Sequence, residues 1–527
     1  MSDRLAVSDR LRGTGLLVRF ALRRDRILLP TWILVLTATV VASAAATGPL
    51  YATTAERVAA AEALNASPAI VALYGPILDT SSLGELAMTK MTVLYAVFVA
   101  FLSVVVVRRH TRVEEETGRA ELVGATAVGA DAPLAAALGE AVLASVVLGV
   151  LAAAGNIASG LPVAGSVLFG ASWTGIGLVG AGVAVLAAQL SSSSRTVGFL
   201  ASGAIGGLYL VRAIGDTTAE WLSWLTPFGW GTQLSAWSEP RAWLLVAYPA
   251  LAAALTAGAI ALRRRRDLGA GVLPDRAGAA EGSPRLRDAL ALVWRQQGTA
   301  LLGWTVGIGV MGILMGSIVP SIGDLLDTDT TRPIIEAMGG IGALQDSLVV
   351  ALASVVAIVI TCFGIAAVTR AAGDEHDGRT EAVLATVTSR ASLMVAVASA
   401  AIVGTTWLLL VSGTATAIGW GRGAGAIGAA LAQAPAVWVV LGVALLLLSV
   451  RSRWAVAAWG VLAAFVTLGQ VGAGLELPDW VLGLSPFHHV PKYPSEAFAW
   501  RPELLLTLLA AALVSLAWWR YRTRDIG

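Results

Sequence analysis

A chain of 527 residues that is 57% hydrophobic and only 13% charged, with mean hydropathy +0.76, is too apolar for a soluble protein, which would leave large greasy surfaces in water. The formal net charge of +2 says little about partners, and no nucleic acid is expected; the distribution of charge says more. The single cysteine, Cys362, lies inside an apolar run and excludes both an intrachain disulfide and a cysteine metal cluster.

The first 26 residues are polar and arginine-rich. Residues 4–26 carry arginines around Leu16, Leu17, Val18 and Phe20 and read as an amphipathic helix on the inner membrane surface. Runs of about 20 apolar residues then recur, the length that crosses a hydrocarbon core of about 30 Å as a helix. They fall at 27–47, 86–107, 134–156, 163–190, 197–214 and 243–262, and again at 299–321, 347–369, 393–419, 424–449, 454–473 and 501–519. The first run is too long for a signal-peptide core. The breaks expected after Gly160 and Gly419 separate the third from the fourth span and the ninth from the tenth.

The expected fold is therefore an all-α polytopic membrane protein of about twelve transmembrane helices in two six-helix halves. The segments are an N-terminal cytoplasmic helix (1–26), a first half (27–262) with a cytoplasmic loop at 108–133, a linker with a second amphipathic helix (263–298), a second half (299–519) with a loop at 370–392, and a tail (520–527). Within the linker, Leu290, Leu292, Val293 and Trp294 form the second amphipathic face, and Gly269, Gly271, Pro274, Gly278, Gly282 and Pro284 mark a flexible stretch.

Arginine sets the orientation. Arg19, Arg23, Arg24 and Arg26 precede the first span; Arg108, Arg109, Arg112 and Arg119 follow the second; Arg195 precedes the fifth; Arg263–Arg266 follow the sixth. The second half repeats this with Arg370, Arg379 and Arg390, then Arg451 and Arg453, then Arg520, Arg522 and Arg524. The alternate loops are arginine-poor and carry acids such as Asp324, Asp327 and Asp329, while Trp221, Trp224, Trp230, Trp237 and Trp243 cluster as an outer interfacial belt. Both termini are expected in the cytoplasm. Six spans per half give both halves the same orientation, related by an axis along the membrane normal.

The halves share motifs. EEETGRAELVGAT at 114–126 matches DEHDGRTEAVLAT at 374–386 at a spacing of 260 residues, so Gly118, Arg119, Glu121 and Thr126 stand against Gly378, Arg379, Glu381 and Thr386. WLSWLTPF at 221–228 matches WVLGLSPF at 480–487, and ALRRRRDLG at 261–269 matches WRYRTRDIG at 519–527. The positive-inside rule explains the arginines of the first motif but not its acids: Glu114, Glu115, Glu116 and Glu121 in one copy, Asp374, Glu375, Asp377 and Glu381 in the other. Glycine at the same point in both implies a break before a short helix starting near Arg119 or Arg379. The acids either pair with those arginines or dock on a basic partner. The second copy departs at His376, which replaces an acid, and at Thr388-Ser389, which replace Val128-Gly129.

No Gly-Lys-Ser/Thr phosphate loop exists: Lys90 follows Thr89 and Lys492 follows Pro491. Two G-x-G-x-x-G triplets, Gly175-Gly177-Gly180 and Gly307-Gly309-Gly312, sit inside spans and read as close helix packing rather than dinucleotide binding. Adjacent His488 and His489 lack a third ligand nearby, and no metal is expected. Ionisable residues inside spans are scarce: Glu140 lies near the inner end of the third, Arg212 near the outer end of the fifth, and Asn156, Gln189, Gln433 and Gln470 are neutral.

The E-x-x-G-R/T-x-E-x-L/V-x-x-T loop between second and third spans, and L-T/S-P-F before the last helix of each half, resemble type-2 ABC exporter permeases. The fused layout, with R-R-D-L-G at the half boundary, is similar to the actinobacterial polyketide-antibiotic exporters of the tetronasin type, over nearly the whole chain. The resemblance implies a bacterial cytoplasmic-membrane permease without a cofactor or ATPase site of its own. It also implies two copies of a separate ABC ATPase subunit, binding ATP and Mg, that engage the two loops through Glu114, Glu115, Glu116, Gly118, Arg119, Glu121, Asp374, Glu375, Asp377, Gly378, Arg379 and Glu381. The second and fifth helices of each half would line the path, making Phe98, Phe101, Tyr209, Phe363 and Phe465 candidates, with Pro227, Phe228, Pro486 and Phe487 at an outer gate in re-entrant segments 215–240 and 474–500. The expected function is export of hydrophobic or amphipathic compounds across the bilayer. The alternative is a proton-coupled twelve-helix efflux carrier, against which the missing midspan acid argues.

Overall fold

A segment in hydrocarbon must satisfy its own backbone groups, so each apolar run is helical. The computed structural model describes residues 9–267, 269–273, 283, 286–326, 340–471 and 478–525, and no strand occurs among them. Asp327 and Asp329, and the side chains of Asp324 and Gln470, lie outside the described residues, as does the start of segment 474–500. The chain divides into two compact units, Met1–Gly278 and Ala279–Gly527, split within the expected linker.

The first unit begins with α1 (Thr14–Arg24) and α2 (Leu28–Leu50). Two helices that hydropathy does not predict follow between the first and second spans, α3 (Thr54–Asn65) and α4 (Pro68–Tyr74). Their signals were present: Thr53 and Glu56 form a reciprocal capping box, and Ser67 caps a helix with proline in its first turn. Then come α5 (Leu83–Glu116), with a π segment at Met91–Tyr95, and the short α6 (Arg119–Gly124). The remainder is α7 (Ala132–Ala158), α8 (Val163–Leu190), α9 (Ser194–Thr218), the short α10 (Trp221–Trp224) and α11 (Pro227–Gln233), and α12 (Ala242–Arg263). Helix α8 is the buried centre and packs against α5, α7, α9 and α12. The first glycine triplet explains the close approach. A Cβ at Gly175 would stand 2.4 Å from the Tyr248 ring, one at Gly177 2.1 Å from Ser145 Oγ, and one at Gly180 2.7 Å from the Ala100 carbonyl.

The second unit holds α13 (Ala289–Leu326), α14 (Gly340–His376), α15 (Arg379–Leu384), α16 (Arg390–Trp420), α17 (Gly423–Val450), α18 (Ser452–Leu468), α19 (Asp479–Leu482) and α20 (Trp500–Thr523). Helix α17 is the buried counterpart of α8, with α14 and α20 against it, and α13 lies along α16. Eleven helices among the described residues are long and apolar enough to cross a membrane. The eleventh of the twelve expected spans is the shorter α18, with helix continuing to Val471, where the described stretch ends.

Two boundaries differ from expectation. The chain turns at Gly421, left-handed at φ 78°, and Gly419 remains within α16 with its Cα against Ile313 and Gly316 of α13. The second amphipathic segment is not separate: α13 runs unbroken from Ala289 through the seventh span. In the first unit the same junction is interrupted after Arg24 by Asp25, which is buried, ion-paired to Arg109 and 2.8 Å from the His110 ring. No such acid interrupts the apolar stretch after Arg295.

Candidate functional site

Both copies of the acidic motif build the same object. Helix α5 ends at Glu116 and α14 at His376; Gly118 and Gly378 follow in the left-handed region at φ 71° and 73°, and six-residue helices α6 and α15 begin at Arg119 and Arg379. No atom lies within 4 Å of where a Cβ would stand at either glycine, so the requirement is backbone conformation rather than space. This is the break and restart expected from the sequence.

The acids divide into two sets. Those before the glycine are held by the protein's own groups. Glu114 pairs with Arg24 of α1 and stands 3.7 Å from Arg119. Glu115 takes Arg112 at 2.8 Å, Arg266 at 2.9 Å and the Gly269 amide at 3.2 Å. Glu116 accepts from the Ser194 amide at 2.7 Å and from its hydroxyl, at the start of α9. In the second unit Asp374 and Asp377 grip Arg379 at 2.8 and 2.7 Å, and Glu375 pairs with Arg524. Those after the glycine are exposed: the side chains of Glu121 and Glu381 make no ion pair or hydrogen bond among the described residues. Beside them Leu122 is 72% exposed and Val387 fully exposed.

The motif and the arginine-rich segment closing each half, far apart in sequence, meet in each unit. Arg266 and Arg524 occupy the same place in ALRRRRDLG and WRYRTRDIG, as Glu115 and Glu375 do in the acidic motif. Each pair forms the same bridge. The end of the fourth span of each half joins it. Arg112 donates to the Ala188 carbonyl at 3.1 Å; 260 residues on, Ala372 replaces that arginine and Arg524 itself donates to the Leu448 carbonyl at 2.5 Å. A guanidinium at a helix C-terminus satisfies its open carbonyls and suits its dipole. Hydrogen bonding to Asp374, with the charges of Asp374 and Asp377, raises the Arg379 guanidinium above its ordinary range, while burial lowers that of Arg524.

The copies differ where the sequence departs. His376 stands where Glu116 binds Ser194, and its ring is exposed without a partner among the described residues. Near Gly129 the N-terminal segment lies against the loop, with the Gly129 amide donating to Arg12 O at 2.9 Å; Ser389 instead caps α16 through the Ser392 amide.

The other sequence candidates are dispersed. Phe98 is 42% exposed and tilts against Tyr95, and Phe101 is half-buried in the core. Tyr209 donates to Leu73 O at 2.6 Å, carries Arg212 on its ring and meets Phe228 edge-to-face, joining a path candidate to a gate candidate. Pro227 and Phe228 are buried at the start of α11, which Thr226 caps. Phe363 is buried edge-on to Trp304, while Phe465 and Phe487 are half-buried core and Pro486 is buried in a 3-10 turn. Arg212 is paired with Asp216 at 2.9 Å and bound to Ala72 O, tying α9 to α4. A cavity of about 510 Å³ between α2, α4 and α5, lined by Thr47, Tyr51, Tyr74, Lys90 and Tyr95, was not signalled by any motif and holds none of the path candidates. His488 and His489 stack edge-to-face, and His489 bonds Gly483 O; no third ligand group joins them among the described residues.

A duplicated set of membrane-length helices, each copy carrying a short exposed helix braced at its arginine-rich end, defines a multi-pass membrane protein. Residues 286–522 match the family model described as "Multidrug efflux system permease Rv1217c, C-terminal domain". The multidrug efflux system permease protein Rv1217c of Mycobacterium tuberculosis (strain ATCC 25618 / H37Rv) is 37% identical over 526 residues, covering 98% of this chain and 95% of that protein. The chain belongs to this family of efflux permeases.

Proposed function

We propose that this chain is the permease of an ATP-driven exporter of hydrophobic or amphipathic compounds in the bacterial cytoplasmic membrane. Two copies of a separate ATPase subunit, binding ATP and Mg, dock on α6 and α15 from the cytoplasm. The observation that carries the reading is the repeated brace. The short helix after the glycine offers an acid outward, with an exposed apolar side chain on it at Leu122 or just beyond it at Val387, while Glu115–Arg266 and Glu375–Arg524 fasten its base to the end of the fourth span and the chain after the sixth. Displacement of the short helix then moves span ends rather than a slack loop. The energy arrives from another chain because this one carries no phosphate loop. The family relationship supports drug efflux as the process, and an apolar interior with few fixed charges suits apolar cargo.

The division of the acids sharpens the test. Charge reversal at Glu115 or Glu375 breaks the brace and confounds docking with stability, whereas Glu121 and Glu381 are free of internal partners among the described residues. The double variant Glu121→Lys/Glu381→Lys is expected to keep its thermal stability and lose both co-purification of the ATPase and its stimulation. Unchanged co-purification and stimulation would remove the docking role, and efflux that stops with an uncoupler while ATP stays high would favour a proton-coupled carrier instead.

A further inference from the structure

The first unit contains a buried polar cluster that plays no part in the brace. Asp25 sits in the break between α1 and α2, His110 near the end of α5, and Glu140 one helix away on α7. Asp25 and Glu140 are fully buried and His110 nearly so. His110 Nε2 lies 2.8 Å from Asp25 Oδ2 and 3.2 Å from Glu140 Oε2, and the three donor atoms fall within 4.8 Å of one another. One imidazole nitrogen carries at most one proton, so it cannot satisfy two carboxylates aimed at it. Neither carboxylate oxygen of Glu140 has a hydrogen-bond partner, an arrangement that is costly for a buried acid.

We propose that Asp25, His110 and Glu140 bind a divalent first-row transition-metal cation, with zinc the best fit. Tetrahedral zinc bonds of about 2.0–2.1 Å place neighbouring ligand atoms about 3.3 Å apart, close to the spacing seen from the imidazole nitrogen to each acid. An imidazole with two carboxylates suits zinc, manganese or cobalt better than calcium or magnesium, which take oxygen ligands in larger number. Arg109 Nε lies 2.8 Å from Asp25 Oδ1, the oxygen His110 does not use, so its charge neutralises that carboxylate without a hydrogen bond between the two atoms. His110 also lines a cavity of about 360 Å³ beneath the acidic loop, which gives an ion access and leaves room for a water as fourth ligand. The site is confined to the first unit: 260 residues on, Arg370 and Ala400 replace His110 and Glu140. Bound metal would clamp α1 to the bases of α5 and α7 beside the first short helix, and no comparable cluster stands beside the second among the described residues, so the two loops would differ in stiffness.

The full chain, purified in detergent and stripped with a chelator, is titrated with Co²⁺ and with Zn²⁺, and bound metal is counted by elemental analysis. Uptake of about one ion per chain, with the visible absorption of four-coordinate cobalt, is expected. Glu140→Gln should weaken binding by at least about tenfold. His110→Cys should keep binding and add a thiolate-to-cobalt charge-transfer band. Uptake well below one ion by the unmodified chain at saturating metal overturns the proposal, whether or not the variants fold. So does equal uptake by Glu140→Gln, which would place the metal elsewhere.

Discussion

At the scale of single residues, the proposed docking turns on which charges are spoken for. Glu115 and Glu121 look alike in the sequence, six residues apart around one glycine, yet one is bound by two arginines and the other faces out. The glycine itself was legible, because repetition at a loop position implies a backbone that other residues adopt at a cost. The partners Arg266 and Arg524 were not, since they lie about 150 residues from the acids they hold. The brace has a measurable consequence. Glu375 and Arg524 are 8% and 14% exposed, so removing either charge strands the other in a largely dry site. Glu375→Gln and Arg524→Gln are each expected to cost about 2 kcal/mol, with the double variant costing clearly less than the sum in a double-mutant cycle of thermal unfolding.

At the scale of elements, apolar runs located the spanning helices, because a spanning segment has no alternative to internal hydrogen bonding, but α5, α13 and α14 extend 7–10 residues beyond the apolar run at one end or both. The errors arose where hydropathy is silent. Helices α3 and α4 are too polar or too short for a hydropathy window, and their signature was capping chemistry. Both glycine triplets hold close helix contacts, though not at every glycine: Gly175 presses on the buried Tyr248 and a Cβ at Gly312 would stand 2.7 Å from that of Ala415, while nothing lies within 4 Å of a Cβ at Gly307. Gly175→Ala is expected to cost about 1–3 kcal/mol through displacement of that ring, and Gly307→Ala about 0.5 kcal/mol or less, both read as shifts in thermal unfolding in detergent.

At the scale of the molecule, duplication predicts that both short helices face one side of the membrane. With Cys362→Ala as background, Ala127→Cys and Val387→Cys, both exposed, should react with an impermeant maleimide only in inside-out vesicles, and Ala52→Cys, exposed between α2 and α3, only in right-side-out vesicles. Labelling of Ala127→Cys and Val387→Cys from opposite sides would break the parallel-repeat topology. The chain by itself determined the all-α polytopic class, the repeat, the two loops and their glycine hinges, because these follow from hydropathy, recurrence and backbone sterics, which are local. Only the tertiary structure decided that three of the acids in each copy are anchors and one is free, that one arginine in the second unit does the work of two in the first, and that Asp25, His110 and Glu140 converge. Those facts depend on which distant side chains share a buried, low-dielectric space, where a charge must find a partner.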